Sequence, residues 1–219
     1  MKKIIVILIG ILFPAAFAAA QPDWVVATEK DGVKVYSKTV PDSRIKALKA
    51  EYVMEATVEE ILNLLVDIPA TTKWMCHAKV CVLLKKISEQ ELYYYTEVSL
   101  PWPLDNRDFV THLKITQDPV TKIVTVNSPA VAGEVAPKKG LVRVNHSQSV
   151  WKIVPAGEWK VKLEYTLRAD PGGLIPAHVV NYFARQAPVE TFLNMQAEIR
   201  SRREKRNANA AAKSAGAYK

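Results

Sequence analysis

The feature that most constrains the fold is an alternation of apolar and polar residues that begins at Lys79 and continues for about ninety residues. Successive side chains of a strand point to opposite faces, so this alternation predicts antiparallel strands with one dry and one solvated face. In the last strand, Trp159, Val161 and Leu163 share the predicted dry face. Turn residues divide the segment into six predicted strands: 79–87, 92–100, 108–116, 123–127, 142–154 and 159–169.

The remaining elements flank this segment. Two further strands are predicted at 33–38 and 44–54, and a short helix follows Thr57, which has Glu60 three residues later as in a capping box. A long helix opens at Pro176, and Pro188 is expected to kink or restart it. The fold class is therefore predicted as α+β, a curved antiparallel sheet around one long C-terminal helix. Because one helix cannot fill the concave face, we expect a hydrophobic cavity.

The N-terminus has the pattern of a secretory signal peptide. Lys2 and Lys3 precede an apolar stretch at 4–17, and three alanines at 18–20 offer a cleavage site that would leave Gln21 first. The apolar stretch is shorter than the ~20 residues that a spanning helix needs. We expect export to the periplasm, with secretion left open.

The positive charge is concentrated at the two ends of the chain. Of the formal charge of +8, two charges lie in residues 1–20 and a net six in residues 200–219, which leaves residues 21–199 neutral. A neutral body argues against a nucleic-acid partner. The expected domains are a signal peptide at 1–20, one domain at 21–200, and a basic, low-complexity tail at 201–219. We expect that tail to be solvated and disordered, with binding to an anionic membrane surface as the functional alternative.

Cys76 and Cys81 are the two cysteines of the chain. An oxidising compartment favours their pairing. A continuous strand would instead hold them ~16 Å apart with diverging side chains, so the bond would require a turn between them. The sequence leaves both outcomes open.

Catalytic and cofactor motifs are not found in the sequence, and the four histidines lie in separate segments. We therefore predict no catalytic residue, no metal site and no cofactor. Arg107 is the unusual polar residue, because the period of two places it on the side of Phe109 and Thr111. A guanidinium on the dry face needs a carboxylate such as Glu97 or a polar group of a ligand, unless it reaches solvent at the strand end.

Aromatic residues on the strands are ordinarily explained by core packing. Several of them on one concave face would also form the wall of an apolar pocket. The candidate lining residues are Arg107, Phe109, Thr111, Trp151 and Tyr165 from the strands, with Val180 and Phe183 from the terminal helix.

The run Leu-Pro-Trp-Pro-Leu-Asp-Asn-Arg-Asp-Phe-Val at 100–110 resembles the L-P-W-P-x-x-x-R-D-[FY]-V signature of StAR-related lipid-transfer (START) domains. Segments 32–37, 60–74 and 172–181 are similar to the family's opening strand, first helix and start of the terminal helix. The similarity spans residues 24–200 and implies the helix-grip superfold.

The resemblance implies a non-catalytic, monomeric carrier or sensor that holds one lipid or other hydrophobic ligand between sheet and helix. Arg107 would be the polar residue inside the cavity, and the loop at 129–140 would form a lid together with the terminal helix. Two alternatives remain. The first is an enzyme of the same superfold, such as a cyclase, aromatase or hydrolase, and the second is an accessory protein that docks a partner through its basic tail.

Overall fold

The structure is a computed structural model that describes residues 24–216, and the side chains of residues 24–213. The predicted signal peptide lies outside the described residues. Within them, no helix is both long enough and apolar enough to cross a membrane.

Ten strands and three α-helices make up the described chain. The strands are β1 (Val25–Lys30), β2 (Val33–Val40), β3 (Ser43–Met54), β4 (Ala78–Ser88), β5 (Glu91–Val98), β6 (Asn106–Gln117), β7 (Val124–Val131), β8 (Leu141–Arg143), β9 (His146–Pro155) and β10 (Val161–Asp170). The helices are α1 (Val58–Val66), α2 (Thr71–Trp74) and α3 (Ala177–Gly216), with a 3-10 turn at Ile68–Ala70.

The strands form one curved antiparallel sheet in the order β1-β2-β3-β10-β9-β7-β6-β5-β4, and β8 pairs with β6 in parallel. Tight turns connect neighbours at the first hairpins. Asp31 and Gly32 both have positive φ angles, 51° and 79°, as the two-residue turn between β1 and β2 requires. The predicted fold class is confirmed.

The core lies between the concave face of the sheet and the helices. On α3, the side chains of Phe192, Met195 and Ile199 are at most 2% exposed. Phe192 stacks on Tyr52 with ring centroids 5.8 Å apart and meets the edge of Trp151 at 5.7 Å. The second half of α3 is therefore fixed against the sheet by burial of large apolar groups.

The short helix α1 begins with the predicted capping box. The Glu60 backbone N–H donates to Thr57 Oγ1 at 3.2 Å, and the Thr57 N–H donates to Glu60 Oε2 at 3.0 Å. Ile61, Leu64 and Leu65 form its buried face.

Three details differ from the sequence predictions. The predicted strand 142–154 is two strands, because the chain turns at Val144, whose N–H donates to Asp108 O at 2.9 Å. Strand β1 was not predicted. Trp159 lies before β10 and is 56% exposed instead of sharing the dry face with Val161.

The terminal helix also differs from prediction. Pro188 lies inside α3 without ending it. Residues 201–216 continue the helix instead of forming a disordered tail. Ion pairs hold the first turn of this continuation against the rest of the fold: Arg203 Nε donates to Glu60 Oε1 at 2.7 Å, and Arg202 Nη2 donates to Asp67 Oδ2 at 2.7 Å.

Candidate ligand-binding cavity

A cavity of about 280 Å³ lies between the concave face of the sheet and α3. Its wall is largely apolar and aromatic, with contributions from α1, α2, the central strands and the middle of α3. The lining residues are Leu65, Thr71, Trp74, Met75, Cys76, Tyr94, Val98, Leu100, Arg107, Phe109, Thr111, Leu113, Ser128, Ala130, Val144, Ser147, Ser149, Trp151, Tyr165, Leu167, Ala169, Pro171, Ala184, Ala187, Pro188, Thr191 and Phe192.

Strand β6 supplies four of these side chains at every second position. Arg107, Phe109, Thr111 and Leu113 all line the cavity, as the period of two predicts. Trp151 and Tyr165 of the neighbouring strands β9 and β10 lie in the same wall, with ring centroids 4.5 Å apart. Five of the seven candidate lining residues are thus in the wall, and their contact with a ligand stays a prediction.

Val180 and Phe183 are the two candidates that do not line this cavity. Phe183 lines a separate groove formed with Leu48 of β3 and Ala27 of β1. The first turns of α3 pack on β1 to β3, so the helix presents Ala184, Ala187 and Pro188 to the cavity instead. Which residues of α3 line the cavity depends on how the helix crosses the sheet, and the apolar stripe of the helix does not indicate that placement.

The Arg107 guanidinium is buried, with the residue 3% exposed. Its donors all go to backbone carbonyls: Nη1 to Asp105, Nη2 to Gly172 at 3.1 Å and Nε to Pro171 at 3.3 Å. It is not at the strand end reaching solvent, and burial lowers its pKa. Arg107 therefore joins the loop before β6 to the loop after β10, and among the described residues no carboxylate lies within ion-pair distance of it.

The expectation that Glu97 pairs with Arg107 is wrong. Glu97 Oε1 accepts from Lys138 Nζ at 2.8 Å and from Tyr95 Oη at 2.8 Å. Neighbouring residues of a strand face opposite sides, and Glu97 lies opposite Asp108, not opposite Arg107, in the β5–β6 register. The Lys138 ammonium and the Tyr95 hydroxyl lower the pKa of Glu97.

Asp108 lies on the outer face of β6, where Arg143 neutralises it. Arg143 Nε and Nη2 donate to the two carboxylate oxygens at 2.8 and 2.9 Å, and the single proton of the Tyr95 hydroxyl is shared between Asp108 Oδ2, 2.9 Å away, and Glu97 Oε1. The hydrogen bonds from Arg143 hold the pKa of Asp108 below its usual value. Arg143 Nη1 also donates to Val135 O at 2.8 Å.

These contacts fix the loop that was expected to act as a lid. Residues 129–131 belong to β7, and the remaining loop at 132–140 is held on the outer face by Arg143 and by the Lys138–Glu97 pair. Of the predicted loop, only Ala130 lines the cavity.

Cys76 and Cys81 are not joined in the structure. Cys76 lies just before β4 and lines the cavity, where its thiol donates to Glu190 Oε2 at 3.2 Å. Cys81, on β4, lies 3.7 Å from Thr96 Oγ1. Burial, with the adjacent Glu190 carboxylate, raises the pKa of Cys76 to about 12.

Sequence reasoning missed the cavity residues of α2. Thr71 Oγ1 and Trp74 Nε1 are buried in the wall and have no hydrogen-bond partner among the described residues. Their helix has four residues, too short for a periodic signal, and only the position of Trp74 after α1 marked the region.

The titratable side chains of the wall are Cys76, Tyr94, Arg107 and Tyr165, and the wall contains no carboxylate, imidazole or ammonium group among the described residues. Burial raises the pKa of Tyr94 to about 12 and raises that of Tyr165 as well. Near neutral pH all four keep their protons, so none is positioned to act as a general base.

In a comparison against known families, the START domain model matches residues 15–205. The chain belongs to the START domain family. A crystal structure of a STAR-related lipid transfer protein from Xanthomonas axonopodis superposes on this START domain with a TM-score of 0.75 and 30% identity, covering 81% of this chain and 98% of that one.

Two curated relatives match most of the chain. An uncharacterized protein of Pseudomonas aeruginosa is 31% identical over 196 residues, covering 90% of this chain and 96% of its own. The mouse phosphatidylcholine transfer protein is 27% identical over 175 residues, covering 78% of this START domain and 80% of its own chain.

Proposed function

We propose that this START domain binds one lipid or similar hydrophobic molecule in the cavity and carries or senses it without chemical change. The observation that carries the proposal is a largely apolar cavity in which Arg107 is the one charged lining group among the described residues. The volume of about 280 Å³ lies just below the usual range of small-molecule sites, about 300–1,000 Å³, so the cavity has room for no more than a single ligand. Burial of an acyl chain there gains about 0.8 kcal/mol for each CH₂ removed from water.

Arg107 supports a ligand with a polar or anionic group. The buried guanidinium donates to neutral carbonyls and has no ion-pair partner among the described residues. Asp105, whose charge acts on Arg107, is itself exposed. A phosphate or carboxylate at this end of the cavity would neutralise the guanidinium.

The α2 end of the cavity supports a second polar contact. Thr71 and Trp74 are 3% and 5% exposed, and each has a buried polar atom without a hydrogen-bond partner in the part of the chain that the structure describes. Buried polar groups are normally hydrogen-bonded, so a ligand oxygen or a water molecule is the natural acceptor. Such a ligand is polar at two points and apolar between them.

The wall also supports a binding protein over an enzyme. Acid–base catalysis requires a group that exchanges protons near neutral pH, and the lining side chains supply none among the described residues. The docking alternative has weaker support, because Arg202 and Arg203 of the basic segment are engaged with α1 and the adjoining Asp67.

Two exposed apolar side chains support transient contact with a membrane. Trp102 is 92% exposed on the loop before β6, and Leu174 is fully exposed on the loop after β10. Arg107 joins these two loops through Asp105 and Gly172. Trp side chains favour the membrane–water interface, so this pair would place the cavity end with Arg107 against the lipid surface.

The export predicted from residues 1–20 is part of the proposal. A carrier outside the cytoplasm would shield its ligand in the aqueous space next to a membrane. N-terminal sequencing of the protein from the periplasmic fraction is expected to begin at Gln21. A chain that retains Met1 and stays in the cytoplasm would contradict export.

Ligand binding is tested with the protein purified from its own host. Native mass spectrometry and solvent extraction should release one lipid per chain. Titration of delipidated protein with a fluorescent fatty acid and a fluorescent phospholipid then gives affinities. We expect Arg107→Gln to bind at least about tenfold more weakly, the effect of losing about 1.4 kcal/mol. The matched control is Arg168→Gln, because Arg168 is exposed on β10.

A steric variant separates cavity binding from surface adsorption. Ala184→Trp places a large side chain in the wall from α3 and should abolish uptake while the circular dichroism spectrum is unchanged. Unchanged binding by this variant, or the absence of any lipid from the native protein, would overturn the proposal.

A further inference from the structure

A cluster of three different metal-binding side chains lies beside the cavity. The Cys76 sulfur, a ring nitrogen of His77 and a carboxylate oxygen of Glu190 all lie within 4.8 Å of one another. Cys76 and His77 precede β4, whereas Glu190 lies on α3, 114 residues after Cys76. The sequence gives no metal-ligand spacing for this set, which explains why no metal site was predicted from it.

The backbone holds the three groups in this arrangement. Neighbouring residues of a strand point to opposite faces, so Cys76 and His77 could not both reach Glu190 from a regular strand. His77 instead has a positive φ of 62°, in the left-handed region that few non-glycine residues adopt. The Cys76 N–H donates to Thr191 Oγ1 at 3.2 Å, and the Ser99 N–H donates to His77 O at 2.9 Å.

The distances are close to those of a tetrahedral site. Zn–S and Zn–O bonds of about 2.3 and 2.1 Å separate sulfur and oxygen by roughly 3.6 Å at a tetrahedral angle. Cys76 Sγ and Glu190 Oε2 are 3.2 Å apart. His77 and Glu190 are exposed, so small side-chain rotations complete the site without a change in the fold.

The ligand set selects the metal. Thiolate with imidazole and carboxylate suits Zn²⁺, whereas Mg²⁺ and Ca²⁺ require oxygen ligands. Three protein ligands leave one coordination position for water. Zn²⁺ would replace the proton that the Cys76 thiol shares with Glu190, and that proton would pass to solvent. The thiolate and the carboxylate together balance the two charges of the ion.

We propose that Cys76, His77 and Glu190 form a Zn²⁺ site that joins the segment before β4 to the middle of α3. Glu190 follows Pro188 and precedes Thr191, both of which line the cavity. The residues of α3 from Ala177 to Ala187 include none that is buried, whereas Val189 and Phe192 are buried. The metal therefore fixes α3 where its firmly packed half begins.

Cobalt is the probe for this site. Mature, reduced, metal-free protein is titrated anaerobically with Co²⁺ and read by absorption spectroscopy. We expect a sulfur-to-cobalt charge-transfer band and tetrahedral d–d bands that saturate at one equivalent and disappear when Zn²⁺ is added. Zn²⁺ should also raise the thermal unfolding midpoint of the wild type.

Variants assign the ligands. Cys76→Ser should lose the charge-transfer band, and Cys81→Ser, which removes the other thiol, should keep it. His77→Gln and Glu190→Gln alter exposed side chains and should fold normally, yet bind Co²⁺ at least about 100-fold more weakly. His146→Gln, on an exposed histidine of β9, is the matched control and should bind as the wild type does.

The outcomes that overturn the site are equally defined. Wild-type protein that shows no charge-transfer band, or that loses it with Cys81→Ser and keeps it with Cys76→Ser, excludes this cluster. Equal affinity in His77→Gln, Glu190→Gln and His146→Gln would show adventitious binding at surface groups. The readout uses protein without lipid, so failure of the proposed lipid binding does not affect it.

Discussion

Arg107 and Asp108 are adjacent residues with separate functions. The alternation of β6 sends Arg107 into the cavity wall and Asp108 to the outer face. Arg107 donates to backbone carbonyls of two loops, whereas Asp108 is neutralised by Arg143 and joins β6 to β8. Their charges do not compensate each other, because the sheet lies between them.

Replacement of Asp108 by Asn should destabilise the protein strongly. The Asp108 side chain is 1% exposed and that of Arg143 is 11% exposed, so the substitution leaves a nearly buried guanidinium unpaired. We expect the free energy of unfolding in urea at pH 7 to fall by about 3–5 kcal/mol.

The exposed pair of Lys34 and Glu29 provides the control. Its side chains are 45% and 58% exposed at an N–O distance of 3.4 Å. Glu29→Gln should change the free energy of unfolding by less than about 0.5 kcal/mol. Equal effects of Asp108→Asn and Glu29→Gln would show that the Asp108–Arg143 pair does not act as a buried ion pair.

The thiols give a second prediction at the residue scale. The Cys76 thiol donates to Glu190 on α3, and the Cys81 thiol contacts Thr96 on β5, so the two thiols have partners on different elements. Alkylation of the unreduced, unfolded protein should therefore add two labels, as measured by intact mass. A mass that rises by two labels only after reduction would instead establish the disulfide.

At the scale of elements, α3 has two parts with different packing. Its middle section supplies Val189, Phe192, Met195 and Ile199 to the core, and its later turns bind α1 through Arg203. The residues before Pro188 are only partly covered. Motion that admits a ligand would therefore begin in the first half of α3, where less apolar contact is lost.

The contact between α1 and the end of α3 should be measurable as a coupling energy. Glu60 accepts from Arg203 and caps α1 with the same carboxylate. A double-mutant cycle with Glu60→Gln and Arg203→Gln, read by urea unfolding, should give a coupling energy of about 1 kcal/mol. Deletion of residues 201–219 should also lower the unfolding midpoint.

A matched control for this cycle pairs Glu60 with an arginine that it does not contact. Glu60→Gln combined with Arg168→Gln should show additive effects within about 0.5 kcal/mol. If deletion of residues 201–219 leaves the free energy of unfolding unchanged, the segment does not contribute to the packing of α3, and the expectation of a solvated tail would stand.

At the scale of the whole molecule, several carboxylates have lowered pKa values in the folded state. Arg143 lowers the pKa of Asp108, Arg203 that of Glu60, and Lys49 that of Glu51. Between the folded and unfolded pKa values, the unfolded state binds more protons. The stabilisation that these carboxylates provide is therefore fully present above their unfolded-state pKa of about 4. It is lost as the pH falls through their folded-state pKa values.

Urea unfolding measured from pH 7 to pH 2.5 checks this prediction. The free energy of unfolding should stay level down to about pH 5 and then decrease. The difference in the free energy of unfolding between the wild type and Asp108→Asn should also decrease at low pH, because protonation of Asp108 removes the charge that the substitution removes. A free energy of unfolding that increases as the pH falls below about 4 would contradict the lowered pKa values of these carboxylates in the folded state.

Much of the fold was predictable from sequence, because strand alternation and helix capping are local properties. The period of two gave the main strands and placed Arg107, Phe109 and Thr111 on one face, while Thr57 and Glu60 marked the start of α1. The break between β8 and β9 was not predicted, because β8 has three residues and pairs in parallel with β6, far from it in the chain.

The sequence by itself determined the main strands, the single long helix and the shared face of Arg107, Phe109 and Thr111, because each follows from the spacing of residues along the chain. Whether the Arg107 guanidinium is buried or reaches solvent was left open by the sequence. Only the tertiary structure decided the partners: Arg143 for Asp108, Lys138 for Glu97, and the neutral carbonyls around Arg107. It also brought Glu190 to Cys76 and His77. Side-chain pairs between distant segments depend on how elements pack, and no local pattern encodes that packing.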